Sequence, residues 1–229
     1  MSSRRPDASL TPTMLNAVDA LARLRAGNHR FVTDQTTTTA LSSAARRGAL
    51  VSGQAPFAII LGCSDSRVPA ELVFDQGFGD LFVIRVAGNV VAPSQVGSVE
   101  FAASRYGTQL VVVMGHSQCG AVIATVEDLQ GGPTNQSMNL RSIVDRVRPS
   151  VETLLSGRRD PDPDTLVRDA VRANVRTSVD HLRHGSALLE KLIHETGLLV
   201  VGAEYSLETG VVEFFDNVPH ADVARLGSS

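Results

Sequence analysis

The only two cysteines of the chain sit in short, dense motifs: Cys63 in Gly62-Cys63-Ser64-Asp65-Ser66-Arg67, and Cys119 in Gly115-His116-Ser117-Gln118-Cys119-Gly120. A lone cysteine in a folded protein is usually a small buried hydrophobe, and a lone histidine is usually a hydrogen-bonded residue near a loop. Together, two thiolates and one imidazole make three donors, the number that leaves one position of a tetrahedral zinc ion open for chemistry. A purely structural zinc site calls for a fourth cysteine or histidine. There is no third cysteine, and His29, His181, His184, His194 and His220 have no cysteine beside them. The chemistry implied is that of an open, catalytic metal site.

Asp65 and Arg67 follow the first cysteine closely. An acid and an arginine two residues apart are often no more than a solvated ion pair. Two residues past a metal ligand, however, a free carboxylate would itself make a fourth ligand. Arg67 can hold it by a bidentate pair, off the metal and ionised. Asp65 is then free to accept a hydrogen bond from water at the open position. Two thiolates also neutralise the charge of the zinc. Such a site acidifies water less than three neutral histidines do, where the pKa falls to about 7, so activity is expected to climb through mildly alkaline pH.

These residues need a scaffold that brings distant segments together, and the pattern of the chain supplies one. Apolar runs at 57–62, 81–86 and 109–114 read as strands buried on both faces, with helices at 94–107, capped by Ser94, and at 120–129. A helix is expected near 140–155, a surface loop at 157–163, and a long amphipathic helix or broken pair over 164–196. Two last strands, 198–203 and 211–215, are joined by a turn at Glu208-Thr209-Gly210. At the front, Leu15, Val18, Leu21 and Leu24 mark a helix over 13–31 that closes near Gly27, and 36–39 reads as loop. Strand alternating with helix implies an α/β fold: a mainly parallel β-sheet flanked by helices, with an N-terminal helical arm. The expected organisation is one catalytic domain over 13–220, with loose tails at 1–12 and 221–229. Cys63 then follows the first strand and His116 the third, both at carboxyl ends, where open α/β sheets build their ligand crevices.

Composition excludes several function classes. The chain of 229 residues is 43% hydrophobic and 20% charged, with a net charge of -3, so no nucleic acid or anionic membrane is expected as partner. No segment approaches the roughly 18 to 20 apolar residues that span a bilayer. The N-terminus has Arg4 and Arg5 but no apolar core of a secretory signal after them. A reducing compartment suits thiolate ligands, so the expected location is cytoplasmic.

The two motifs resemble those of the β-class carbonic anhydrases, Cys-x-Asp-x-Arg and His-x-x-Cys-Gly, and the resemblance runs from Gly27-Asn28-His29-Arg30-Phe31 to the last strands. It implies one zinc ion (Zn2+) per chain on Cys63, His116 and Cys119, with Asp65 as a possible fourth ligand in a closed state. Hydroxide on that zinc would attack carbon dioxide to give bicarbonate and a proton, with Asp65 and Arg67 as the catalytic dyad. By the same resemblance Gln54 helps hold substrate, often across a dimer interface, and Phe82, Ala87 and Phe101 fall near an apolar substrate pocket. Gly120 would present a backbone N–H at a helix N-terminus to the anionic product. Some members bind regulatory bicarbonate through a tryptophan and an arginine. Arg85 matches the arginine, but Ile60 stands at the tryptophan position, so that route is not expected here. The family's unit is a homodimer, often paired into a homotetramer, and the 13–31 helix would be the arm that wraps a partner. Other readings are a hydrolase of a related small substrate such as carbon disulfide, and a non-catalytic zinc-binding or redox-sensing module. A Cys–His thiol hydrolase is a further option, but one nucleophile gives no reason for two cysteines on one ion.

Overall fold

The computed structural model describes residues 15–37, 42–132, 137–156 and 162–219. Four strands run parallel, β1 (Ala58–Gly62), β2 (Leu81–Arg85), β3 (Leu110–His116) and β4 (Leu199–Tyr205), and β5 (Val212–Asp216) adds an antiparallel edge. The sheet order is β2–β1–β3–β4–β5. Every residue of β1 and β3 is buried, which is why both read as unbroken apolar runs: central strands of such a sheet are covered on both faces. The 81–86 run differs from that reading. As the outermost strand, β2 pairs only with β1, so Phe82 and Val83 are half-buried and Arg85 is exposed.

Side chains alternate across the sheet. On one face Ile60, Val112, Met114, Val201 and Ala203 pack against α1 (Ala17–Val32) and the short α3 (Ala70–Val73), which follows α2 (Ala44–Ala49) in the chain. On the other, Ile59, Leu61, Val111, Val113 and Val200 meet α4 (Pro93–Tyr106), α7 (Pro163–His184) and α8 (Ala187–Thr196). A third apolar cluster joins α5 (Gly120–Leu129), α6 (Met138–Ser156) and α7 around Cys63 and Cys119.

Several element ends depart from expectation for physical reasons. Helix α1 begins at Asn16, whose side chain accepts from the Asp19 N–H, and runs past Gly27 to Val32, while Val18 is 43% exposed. Gly27 is a packing residue rather than a terminator, since a Cβ there would lie 1.8 Å from the Phe74 carbonyl oxygen. Ser94 does not cap α4: Ala92 is the N-cap, Pro93 fills the first turn, and the Ser94 hydroxyl donates to Gln95 Oε1. The 164–196 stretch is a pair of helices, the second capped by Ser186. Helices α2 and α3 have no counterpart in the sequence reading. The tails at 1–12 and 221–229, Thr38 and Thr39 of the first loop, and most of the 157–163 loop lie outside the described residues.

Candidate metal centre

The parallel register builds the site. Gly62 ends β1 beside Met114, so Cys63, the next residue, emerges level with the end of β3, whose last residue is His116. The chain then turns through Ser117 and Gln118, the latter in the left-handed region at φ 56°, and delivers Cys119 as the N-cap of α5. The donor atoms of Cys63, His116 and Cys119 all lie within 4.8 Å of one another, and all three residues are buried.

The histidine is poised as a ligand. Its Nδ1 lies 2.9 Å from the Ser117 carbonyl, which can only accept, so Nδ1 carries the hydrogen and Nε2 keeps its lone pair. That Nε2 is buried and has no hydrogen-bond partner. Cys63 Sγ accepts the Gly88 N–H at 3.3 Å, from the tight turn Ala87–Asn89. The two thiols share one hydrogen bond. It lowers the pKa of Cys63, against the opposing effect of burial, and together with burial raises that of Cys119. Zinc–sulfur and zinc–nitrogen bonds of about 2.3 and 2.0 Å hold such donors within roughly 4 Å of each other, so the cluster fits a tetrahedral ion with only small side-chain movements. The mixed sulfur and imidazole set, and the otherwise orphaned Nε2, fit zinc in kind.

Asp65 borders the cluster, its Oδ2 3.9 Å from His116 Nε2. Arg67 grips it: Nε and the backbone N–H both donate to Oδ1 at 2.9 Å, and Nη2 donates to Oδ2 at 2.7 Å. These hydrogen bonds hold the Asp65 carboxyl far below the usual carboxylate range. Arg67 Nη2 also lies 3.5 Å from the Gln118 carbonyl, tying the two motifs together. Arg85, at the end of β2, donates to the carbonyls of Cys63 at 3.0 Å and Asp65 at 2.5 Å, and so pins the first motif from below.

The remaining sequence candidates divide into two groups. Gly120 opens α5 at an exposed position beside Cys119, and Ala87 precedes the Gly88 amide that reaches Cys63. Gln54, Phe82 and Phe101 gather elsewhere. Gln54 donates to the Tyr106 hydroxyl at 2.9 Å, and Tyr106 packs on Phe101 and Phe82 with ring centroids 5.8 and 6.2 Å apart. Phe82 pairs with Ile59, four residues before Cys63, or about 13 Å at some 3.3 Å per strand residue. Within one chain these three therefore do not reach the cluster: they lie toward the amino ends of the strands, and Cys63, His116 and Cys119 at the carboxyl ends. The structure adds participants that the motifs did not single out, namely Gly88, Ser117 and Glu208.

A soft-ligand cluster at strand ends, edged by an ionised carboxylate, is built like that of an α/β metalloenzyme that activates water. Comparison with known proteins makes the class definite. Residues 58–212 match the carbonic anhydrase family. Carbonic anhydrase 2 of Mycobacterium tuberculosis is 39% identical over 203 residues, covering 89% of this chain and 95% of that protein. The carbonic anhydrase of Mycolicibacterium smegmatis is 38% identical, covering 86% and 93%. Among solved structures, the β-carbonic anhydrase CafA of Aspergillus fumigatus superposes with a TM-score of 0.69 at 25% identity, covering 92% of this chain and 97% of that one. The chain belongs to the carbonic anhydrase family, in its β class, whose reaction is the hydration of carbon dioxide. No helix among the described residues is long and apolar enough to cross a membrane.

Proposed function

We propose that this chain hydrates carbon dioxide reversibly to bicarbonate and a proton at one zinc ion per chain, held by Cys63 Sγ, His116 Nε2 and Cys119 Sγ. One observation carries the reading: a buried imidazole nitrogen with a free lone pair lies within 4.8 Å of two thiols, beside a carboxylate locked by arginine. Zinc in that position supplies Lewis acidity and lowers the pKa of a water molecule.

The protein's own groups do the rest. Asp65 accepts a hydrogen bond from the reacting water and so orients it toward the carbon of the substrate. Arg67 keeps Asp65 ionised and, by occupying both its oxygens, keeps it from becoming the fourth metal ligand. The amide of Gly120 stands where the partial positive charge of the α5 N-terminus favours the anionic product. Ala87 lines the near side. Gln54, Phe82 and Phe101 serve the site of a second copy, supplying one amide and an apolar wall suited to a substrate with little to hydrogen-bond. A homodimer or homotetramer is therefore the working form, in keeping with a chain from the crystal structures of two tetrameric β-carbonic anhydrases of Sordaria macrospora, which superposes at a TM-score of 0.63 and 26% identity, covering 74% of this chain and 85% of that one. The location that goes with this reading is the cytoplasm, a reducing compartment that keeps thiolate ligands available, which is what supports it.

The test joins zinc content by mass spectrometry to stopped-flow carbon dioxide hydration, for the wild type and Cys63→Ser. One zinc per chain and alkaline hydration activity are expected in the wild type, and both should fall in the variant. A zinc-loaded wild type that hydrolyses carbon disulfide but does not hydrate carbon dioxide would overturn the substrate. A wild type that carries zinc and performs neither reaction would leave a non-catalytic zinc module.

A further inference from the structure

Ser117, between a proposed zinc ligand and the tightest bend of the metal loop, has every polar atom engaged. Its N–H donates to the Tyr205 carbonyl at 2.9 Å, and its own carbonyl accepts His116 Nδ1 at 2.9 Å. Its hydroxyl donates to Glu208 Oε2 at 2.8 Å and accepts the Leu207 N–H at 2.9 Å. Glu208 lies in the turn between β4 and β5, far from the loop in sequence, and that turn is itself well braced. Ser206 Oγ donates to the same Glu208 oxygen at 3.0 Å and accepts the Thr209 N–H at 3.1 Å, while the Gly210 N–H donates to the Ser206 carbonyl.

We propose that Glu208 is a positioning residue of the metal centre: by holding the Ser117 hydroxyl it fixes the peptide carbonyl that sets the tautomer and ring plane of His116. The proposal rests on the reading of Cys63, His116 and Cys119 as zinc ligands. Three features support it. The left-handed Gln118 makes the loop one that would relax unless held from both sides. Arg67 reaches the Gln118 carbonyl on one side, and Glu208 holds Ser117 on the other. A hydroxyl donating to an ionised carboxylate makes a charge-assisted bond, roughly twice as strong as a neutral one. The competing role for such a carboxylate is that of proton acceptor from the reaction. Glu208 suits it badly: the Ser117 hydrogen bond above all, with further backbone and Ser206 hydrogen bonds and the Arg67 charge, holds its carboxyl below the ordinary range, so it is a poor proton store at working pH. It acts as a fixed acceptor.

The experiment uses the full-length zinc protein and its cobalt(II)-substituted form, with Glu208→Ala, Glu208→Gln, Ser117→Ala and the Glu208→Ala/Ser117→Ala double variant. Thr209→Ala, in the same turn but without contact to Ser117, is the control. Removing groups that orient metal-bound histidines typically weakens metal binding about 10- to 100-fold. Glu208→Ala and Ser117→Ala should each release zinc to a chelator about tenfold faster and change the visible cobalt absorption. The double variant should be no worse than either. Glu208→Gln, which keeps an acceptor oxygen but loses the charge, should release zinc more slowly than Glu208→Ala, and Thr209→Ala should behave as wild type. Unchanged zinc release and cobalt spectrum in Ser117→Ala would overturn the proposal, and so would effects of the two single variants that simply add. A wild type that binds no zinc would instead sink the metal reading itself, so the two failures are distinguishable.

Discussion

In the proposed centre, Cys63 and Cys119 would bring two negative charges to one divalent ion, and the consequence is electrostatic. Thiolate ligands would cancel the metal charge that otherwise acidifies water, so on this reading the hydration rate should climb as pH rises above about 7. Stopped-flow profiles check this, and a rate that is flat from acid to neutral pH contradicts the two-thiolate site. Asp65 makes a second prediction. Its folded-state pKa is depressed, so the stability it contributes is complete above the ordinary carboxylate pKa and is lost only as pH falls through the lowered value. Asp65→Asn should keep zinc but lose about 100-fold in hydration rate, and its stability deficit at pH 7 should shrink below about pH 4 in denaturation curves. Full activity in that variant would demote the pair to scaffold. The clustered donor types of the proposed centre and the Asp65–Arg67 pair were legible in the sequence because their chemistry resides in residue identity and short spacing. The Gly88 amide on Cys63 and the Glu208 carboxylate on Ser117 were not, since each is contributed by a segment whose approach only the folded sheet determines.

At the scale of elements, the central strands announced themselves because both faces are covered, leaving nothing but apolar residues to read. Short helices gave no such signal: α2 has six residues and α3 four, too few to display a helical period. Gly27 was misread for a related reason. A glycine at a helix end and one at a helix crossing look alike in sequence, and only the nearby Phe74 carbonyl separates them. Because that neighbour is backbone rather than a flexible side chain, Gly27→Ala should destabilise the protein by about 2 kcal/mol through overpacking. Chemical denaturation measures it, and wild-type stability would mean that α1 has room to shift.

For the whole molecule, the sheet has an open edge at β2 beside an exposed aromatic group, with Phe101 54% exposed against Phe82 and Tyr106. Unpaired edges and apolar patches of this kind are covered in stable proteins, and the covering proposed here is a second copy. Phe101→Asp should shift sedimentation toward the monomer and lower hydration activity at least tenfold while zinc is retained. A fully active monomer would free catalysis from Gln54, Phe82 and Phe101.

Arg85 links that edge to the chemistry. It ends the outermost strand, and its guanidinium holds the backbone of both the ligand Cys63 and the carboxylate-bearing Asp65. A displacement of the outer strand therefore has a lever arm on both residues at once, and in the proposed oligomer assembly and metal geometry would be one mechanical property: whatever seats β2 firmly would also tune the reacting centre.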